Sequence, residues 1–171
     1  TPVVHGGKNL REFYTQQLKK IADFCAEVHK GKRKGSTGKR FKTAVQIGIG
    51  GSDLGPRALY LALEQYARQQ KLLKMQARFI SNVDPDDVNA VLADLKLETT
   101  LFILVSKSGM TQETLANEQL VRRKMTDAGL DPSQHMVAVT SETSPLAKSS
   151  QYAAPFFIDD FIGGRYSSTS A

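Results

Sequence analysis

The chain has 171 residues, of which 40% are hydrophobic and 23% charged, and its formal net charge is +6 at pH 7. This composition is typical of an ordinary globular domain and excludes a disordered or fibrous protein. No apolar run reaches the roughly 18 to 20 residues of a membrane helix, and the single cysteine excludes an internal disulfide, so we predict a soluble cytoplasmic protein with no membrane partner.

The first predicted element is an amphipathic helix, because apolar side chains recur mostly every three or four residues from Asn9 to Val28. A basic segment without acidic residues, Lys30–Lys42, follows it. This segment is open to two interpretations, a solvated linker or a surface that attracts nucleic acid or phosphorylated substrates. Because no aromatic side chains alternate with its charges to form a stacking surface, we favour the linker and predict no nucleic-acid partner.

Five short apolar runs then alternate with helical segments. The runs are Thr43–Ile49, Gln76–Ser81, Thr100–Ser106, His135–Thr140 and Ala154–Ile158, and the helical segments lie near 56–69, 85–95, 111–128 and 144–150. This alternation predicts an α/β fold, a three-layer α/β/α sandwich with a five-stranded parallel sheet, preceded by the N-terminal helix. We assign residues 1–42 to the helix and basic linker and residues 43–171 to the α/β domain.

The ends of the sequence favour an excised domain. No initiator methionine precedes Thr1, and the chain stops at Ala171, just after a glycine turn that we expect to open into a further element. We therefore expect a longer protein to contain this sequence.

Ligands of open parallel sheets bind beyond the carboxyl ends of the strands, so the loops after strands are the candidate sites. The loop Gly48–Pro56 has the sequence GIGGSDLGP and leads into a helix. Its glycines and helix-start amides suit a phosphate or sugar cradle, and a structural glycine turn is the alternative. The dinucleotide fingerprint fails at Asp53, the hydrolase elbow fails at Leu54, and the nucleoside-triphosphate phosphate loop is absent from the sequence.

A second loop, Ser106–Thr114, has the sequence SKSGMTQET and also leads into a helix. Four hydroxyl side chains, one lysine and the helix-start amides suit a phosphomonoester dianion. The alternative is a helix cap in which Gln112 or Glu113 completes a capping box, but such a cap explains only one of the hydroxyls.

Near the end of the chain, Arg165 follows two glycines in the segment Gly163–Ser167. An arginine here suits the stabilisation of negative charge on a substrate oxygen, and a surface or ion-pair role is the alternative. The three histidines have no metal-ligand spacing, and no carboxylate pair forms an acid/base dyad, so we predict no metal site.

In combination these motifs resemble the glucose-6-phosphate isomerase family over nearly the whole chain. The resemblance rests on four segments in the same order, Lys34–Lys39, Ile47–Pro56, Ser106–Thr114 and Gly163–Ser167. It implies a flavodoxin-like sugar isomerase (SIS) domain, the first of two in that family. At Ser108 and Gly109 the chain departs from the family, which often has threonine and a bulkier residue there.

The resemblance also implies roles for the site residues. It assigns phosphate binding to Ser106, Lys107, Ser108 and Thr111, sugar or phosphate contacts to Gly51 and Ser52, and stabilisation of an enediolate to Arg165. The family interconverts glucose 6-phosphate and fructose 6-phosphate without a metal or organic cofactor, usually as a homodimer. Its base glutamate, and the histidine and lysine that assist ring opening, match no segment of this chain, so we expect them beyond Ala171.

Two alternatives remain open. Single SIS domains also serve as the non-catalytic, sugar-phosphate-sensing parts of regulators. The missing base favours this alternative, and the absence of a helix-turn-helix opposes it. A nucleotide-binding oxidoreductase is favoured only by Asp84 after the second strand and is opposed by the failed glycine spacing.

Overall fold

The computed structural model of the chain describes residues 3–169, and side chains up to Tyr166; the predicted domain end at Ala171 lies outside these residues. A small antiparallel hairpin of β1 (Val4–His5) and β2 (Lys8–Asn9) comes first. No sequence pattern predicted this hairpin. The predicted N-terminal helix is confirmed as α1 (Leu10–Lys30).

The predicted five-stranded parallel sheet is also confirmed. Its strands are β3 (Thr43–Ile47), β4 (Gln76–Ile80), β5 (Thr100–Val105), β6 (Met136–Thr140) and β7 (Pro155–Phe157), in the spatial order β4-β3-β5-β6-β7. The connecting helices are α2 (Gly51–Gln69), α3 (Pro85–Ala93) and α4 (Gln112–Asp127). The fourth predicted helix is only a short 3-10 helix, Pro145–Lys148. No helix within residues 3–169 is long and apolar enough to cross a bilayer.

Helices cover both faces of the sheet. On one face, buried side chains of α3 and α4 pack with the strand residues Phe102, Leu104 and Met136. On the other face, Phe24 and Val28 of α1 pack in a separate apolar cluster that includes strand residues. Burying these apolar surfaces is the main stabilisation of the three layers, at about 25 cal/mol per Å². The helix that precedes the sheet in sequence is therefore part of its core.

The start of α2 differs from the sequence prediction, which placed it near Pro56. The helix begins at Gly51, so Pro56 lies inside it. Proline has no N–H to donate to the carbonyl four residues earlier, that of Ser52. The side chain of Gln46 donates to this carbonyl instead, at 2.7 Å. Because this side-chain hydrogen bond replaces the missing main-chain bond, α2 can start within the glycine loop. The first amides of α2 therefore lie at the end of β3.

The basic segment Lys30–Lys42 is folded against the domain. Ion pairs join two of its cations to acids, Arg33 to Glu27 and Lys39 to Glu98. Its centre rests on His135, which is fully buried; the Ser36 amide donates to Nε2 of this imidazole at 2.9 Å. Because Nε2 accepts this bond, Nδ1 carries the proton and donates to the carbonyl of Thr100 at 3.0 Å.

Candidate phosphosugar site

The strand order places both candidate loops at one point of the sheet. β3 and β5 are neighbours, with Ile47 paired to Leu104 near their carboxyl ends. The chain leaves β3 toward β4 on one side and leaves β5 toward β6 on the other. This is the topological switch point, where ligands of flavodoxin-like sheets bind.

The loop after β5 presents hydroxyl groups at the start of α4. The buried Ser106 hydroxyl donates to Oγ1 of Thr111 at 3.2 Å and accepts a bond from the Gly109 amide at 3.2 Å. Thr111 is the N-cap residue of α4, but its side chain caps no amide. The capping alternative is therefore not realised, and the first turn of α4 has no side-chain cap. Ser108 is exposed at the loop surface.

Gly109 occupies a position in this loop that has no room for a side chain. Its φ is +67°, in the region that favours glycine, and a Cβ here would lie 2.1 Å from Oγ of Ser144. A bulkier residue would therefore require both a strained backbone and a displaced Ser144. The small residue at this position fits the neighbouring segment of this chain.

Lys107 extends from the same loop toward the end of the chain. Its Nζ donates to the carbonyl oxygens of Asp160 at 2.8 Å and Ile162 at 2.9 Å. Its own carbonyl accepts a bond from the Ser141 amide at 2.9 Å. The ammonium thus ties the loop after β5 to the segment that leads into Arg165.

Arg165 lies in a 3-10 helix, Gly164–Thr169, that packs on the start of α2. A Cβ on Gly51 would lie 2.3 Å from the carbonyl carbon of Gly164 and 2.7 Å from the Arg165 nitrogen. The Arg165 side chain is exposed, and no ion pair involves it within the part of the chain that the structure describes. The structure therefore brings Gly51, the loop after β5 and the Arg165 segment together, with Ser52 half-buried in the first turn of α2.

The sequence-based predictions did not include an ion pair at this end of the sheet, in which the acid is buried and the arginine half-buried. Asp53 is 3% exposed, and Arg57 one turn later donates to its carboxylate at 3.1 Å. Arg57 also donates to the hydroxyl of Ser81 after β4, at 2.7 Å. The i,i+4 spacing of the acid and the arginine is the signal that predicts this pair.

Asp160 was missed as well, and no local pattern marks it. Ser141 donates to its carboxylate, and Thr143 does so at 3.1 Å. The pKa of Asp160 lies below its ordinary value, mainly because of the bond from Ser141 and then the bond from Thr143. Asp84, which follows β4, is the N-cap residue of α3, and its side chain accepts a bond from the Asp86 amide.

An open parallel sheet with a hydroxyl-rich helix start at its switch point is typical of α/β domains that bind small phosphorylated molecules. Residues 1–171 match the family described as Phosphoglucose isomerase. The chain therefore belongs to the phosphoglucose isomerase family. No group of three or more His, Cys, Asp or Glu side chains within the described residues is arranged to hold a metal ion.

Individual relatives support the family assignment. The chain is 60% identical over 168 residues to a glucose-6-phosphate isomerase of Treponema denticola and 58% identical over 163 residues to that of Treponema pallidum, covering 98% and 95% of this chain. A crystal structure of a glucose-6-phosphate isomerase from Chlamydia trachomatis matches 99% of the chain with a TM-score of 0.85 and 36% identity. The chain spans only 30 to 31% of the length of these relatives.

Proposed function

We propose that residues 43–171 form the first SIS domain of a longer cytoplasmic glucose-6-phosphate isomerase and bind the phosphate of its substrate. The observation that carries this proposal is the convergence of the glycine loop, the loop after β5 and the Arg165 segment at the switch point. Membership of the phosphoglucose isomerase family favours the isomerase over the sensor alternative.

The loop after β5 supplies the phosphate contacts in this proposal. When phosphate binds, the Ser106 hydroxyl exchanges its bond to Thr111 for one to the ligand, and the hydroxyls of Ser108 and Thr111 also donate to phosphate oxygens. The amides of the first turn of α4 point at the same anion. A helix start carries a partial positive charge of about half an elementary charge, which favours a dianion. Gly51 contributes main-chain contacts to the sugar or phosphate from the first residue of α2, and Ser52 supplies a further hydroxyl from the same turn.

The chemistry is a proton transfer between C1 and C2 of the open-chain sugar through an enediolate. Negative charge develops on the sugar oxygens during this transfer and requires a nearby cation. Arg165 fits this role because its main chain lies against Gly51 of the glycine loop and its side chain is exposed, with no carboxylate partner among the ion pairs of the described residues. The base and the groups that open the ring come from parts of the longer protein outside this chain.

The isolated chain tests whether phosphate binding and proton transfer lie in different parts of the longer protein. We expect the 171-residue chain to show negligible isomerase activity while it retains weak binding of fructose 6-phosphate, measured by calorimetry, and the longer protein to be active. Turnover by the chain alone at a rate comparable to that of the longer protein would overturn the division. Binding of NAD in preference to the sugar phosphate would favour the oxidoreductase alternative.

The phosphate contacts are tested by Ser106→Ala and Thr111→Val. Each change removes a hydroxyl that donates to a charged group, which is worth about 1.5 to 3 kcal/mol. We therefore expect the Kd for fructose 6-phosphate to rise about tenfold or more for each variant. The control is Ser133→Ala, because Ser133 lies directly before β6, at the amino-terminal end of the strands and away from the candidate site. A Kd within about twofold of wild type for both variants would contradict the assignment.

We also propose that the longer protein is a homodimer. Large apolar side chains of α2 are more than half exposed, namely Leu54, Leu59, Leu61, Leu63 and Tyr66. Exposed apolar surface of this kind is typical of an interaction face. This helix is therefore the part of the chain that we expect a second subunit, or the remainder of the same subunit, to cover.

A further inference from the structure

Lys107 makes contacts that a phosphate-binding lysine does not need. Its Nζ donates to two main-chain carbonyls, those of Asp160 and Ile162, at 2.8 and 2.9 Å. The side chain is half-buried in this arrangement. Two of the three hydrogens of the ammonium are thereby directed at the segment before Arg165.

The side chain of Asp160 also holds this segment in place. Its carboxylate accepts bonds from Ser141 and Thr143, which directly follow β6. The Ser141 amide in turn donates to the carbonyl of Lys107 at 2.9 Å. Lys107, Asp160 and the end of β6 therefore form a closed set of hydrogen bonds, which we call the Asp160 anchor.

The Arg165 segment needs such an anchor because two glycines, Gly163 and Gly164, directly precede the arginine. Glycine loses the most backbone freedom on ordering, so this connection does not hold a fixed position by itself. It is held between the start of α2, where Gly164 lies against Gly51, and the Asp160 anchor. A displacement of about 1 Å of a catalytic group costs on the order of 100-fold in rate.

We propose that Lys107 and Asp160 are positioning residues that hold Arg165 at a fixed position relative to the loop after β5. Lys107 then affects turnover more than the affinity for phosphate. The inference rests on the proposed function and deepens it. It gives Lys107 a different task from the hydroxyls of the same loop, which contact the phosphate itself.

The first test is Lys107→Met in the longer protein. We expect kcat to fall about tenfold or more, because Arg165 loses its position, while the Kd for fructose 6-phosphate stays within about threefold of wild type. The matched control is Lys74→Met, an exposed lysine before β4 at the far edge of the sheet, which leaves both values unchanged. A Kd that rises tenfold with kcat unchanged would show that Lys107 binds phosphate directly and would overturn the inference.

The second test disrupts the Asp160 anchor without replacing any charged side chain. Ser141→Ala combined with Thr143→Val removes both donors to Asp160, and we expect it to lower kcat with an unchanged Kd. Combining it with Lys107→Met should lower kcat by less than the product of the two effects, because the changes act on one network. Full multiplicativity would contradict a shared anchor.

A third measurement separates this inference from the proposed function. Hydrogen exchange of the amides of residues 161–166 in the 171-residue chain should speed up in Lys107→Met and not in Lys74→Met. If the longer protein does not isomerise sugar phosphates, the proposed function fails, yet the exchange result still decides the positioning role. Unchanged exchange in an active enzyme overturns the positioning role alone.

Discussion

Replacing Gly51 with alanine is expected to lower the kcat of the longer isomerase by about 100-fold, because a catalytic group displaced by about 1 Å loses this much rate. The new Cβ would lie 2.3 Å from the carbonyl carbon of Gly164, 2.4 Å from its oxygen and 2.7 Å from the Arg165 nitrogen. All three are main-chain atoms, so no side-chain rotation relieves the clash. The segment that carries Arg165 must move away from α2.

The fold itself should tolerate this change. Gly51 is a helical residue with no positive φ, and the displaced segment lies at the surface, so the melting temperature should fall by only a few degrees. The control is Ala62→Ser, which adds one atom to an exposed position of the same helix. A Gly51→Ala enzyme with kcat within about twofold of wild type would show that the Arg165 segment can shift without loss of turnover.

Replacing His135 with leucine is expected to produce the largest loss of stability. The imidazole is fully buried, and its two nitrogens pair with the Ser36 amide and the Thr100 carbonyl. Leucine has a similar volume but leaves both main-chain groups unpaired. Each unpaired group lowers the free energy of unfolding by about 1 to 3 kcal/mol. For a chain of this size about 1 kcal/mol shifts the melting temperature by about 2 to 4 °C, so we expect a fall of roughly 10 °C by circular dichroism.

His29→Leu is the matched control, since His29 is exposed on α1 and this change should alter the free energy of unfolding by less than about 0.5 kcal/mol. Gly35→Ala provides an independent check from the other side of the same contact. A Cβ at Gly35 would lie 2.2 Å from Cε1 of His135, so this variant should also be destabilised. Equal melting temperatures for His135→Leu and His29→Leu would mean that Ser36 and Thr100 find other partners.

The alternation of apolar runs and helical segments predicted the fold because each element is specified by neighbours in sequence. The run Leu101–Val105 predicts a strand covered on both faces, and β5 is such a strand. Local signals were less reliable at boundaries. The pattern of helical segments placed the start of α2 near Pro56, whereas the helix begins at Gly51, where the Gln46 side chain donates to the carbonyl that Pro56 leaves without its helical donor.

The sequence by itself determined the fold class, the two loops after β3 and β5 and the presence of an arginine near the end of the chain. Only the tertiary structure decided how these parts meet. Lys107 bonds to residues 53 and 55 positions away, and Gly51 lies against Gly164 from the far end of the chain. Periodicity and helix-start patterns extend over a few residues, so they carry no information on such contacts. These contacts depend on the strand order, which places the loops after β3 and β5 side by side at the switch point.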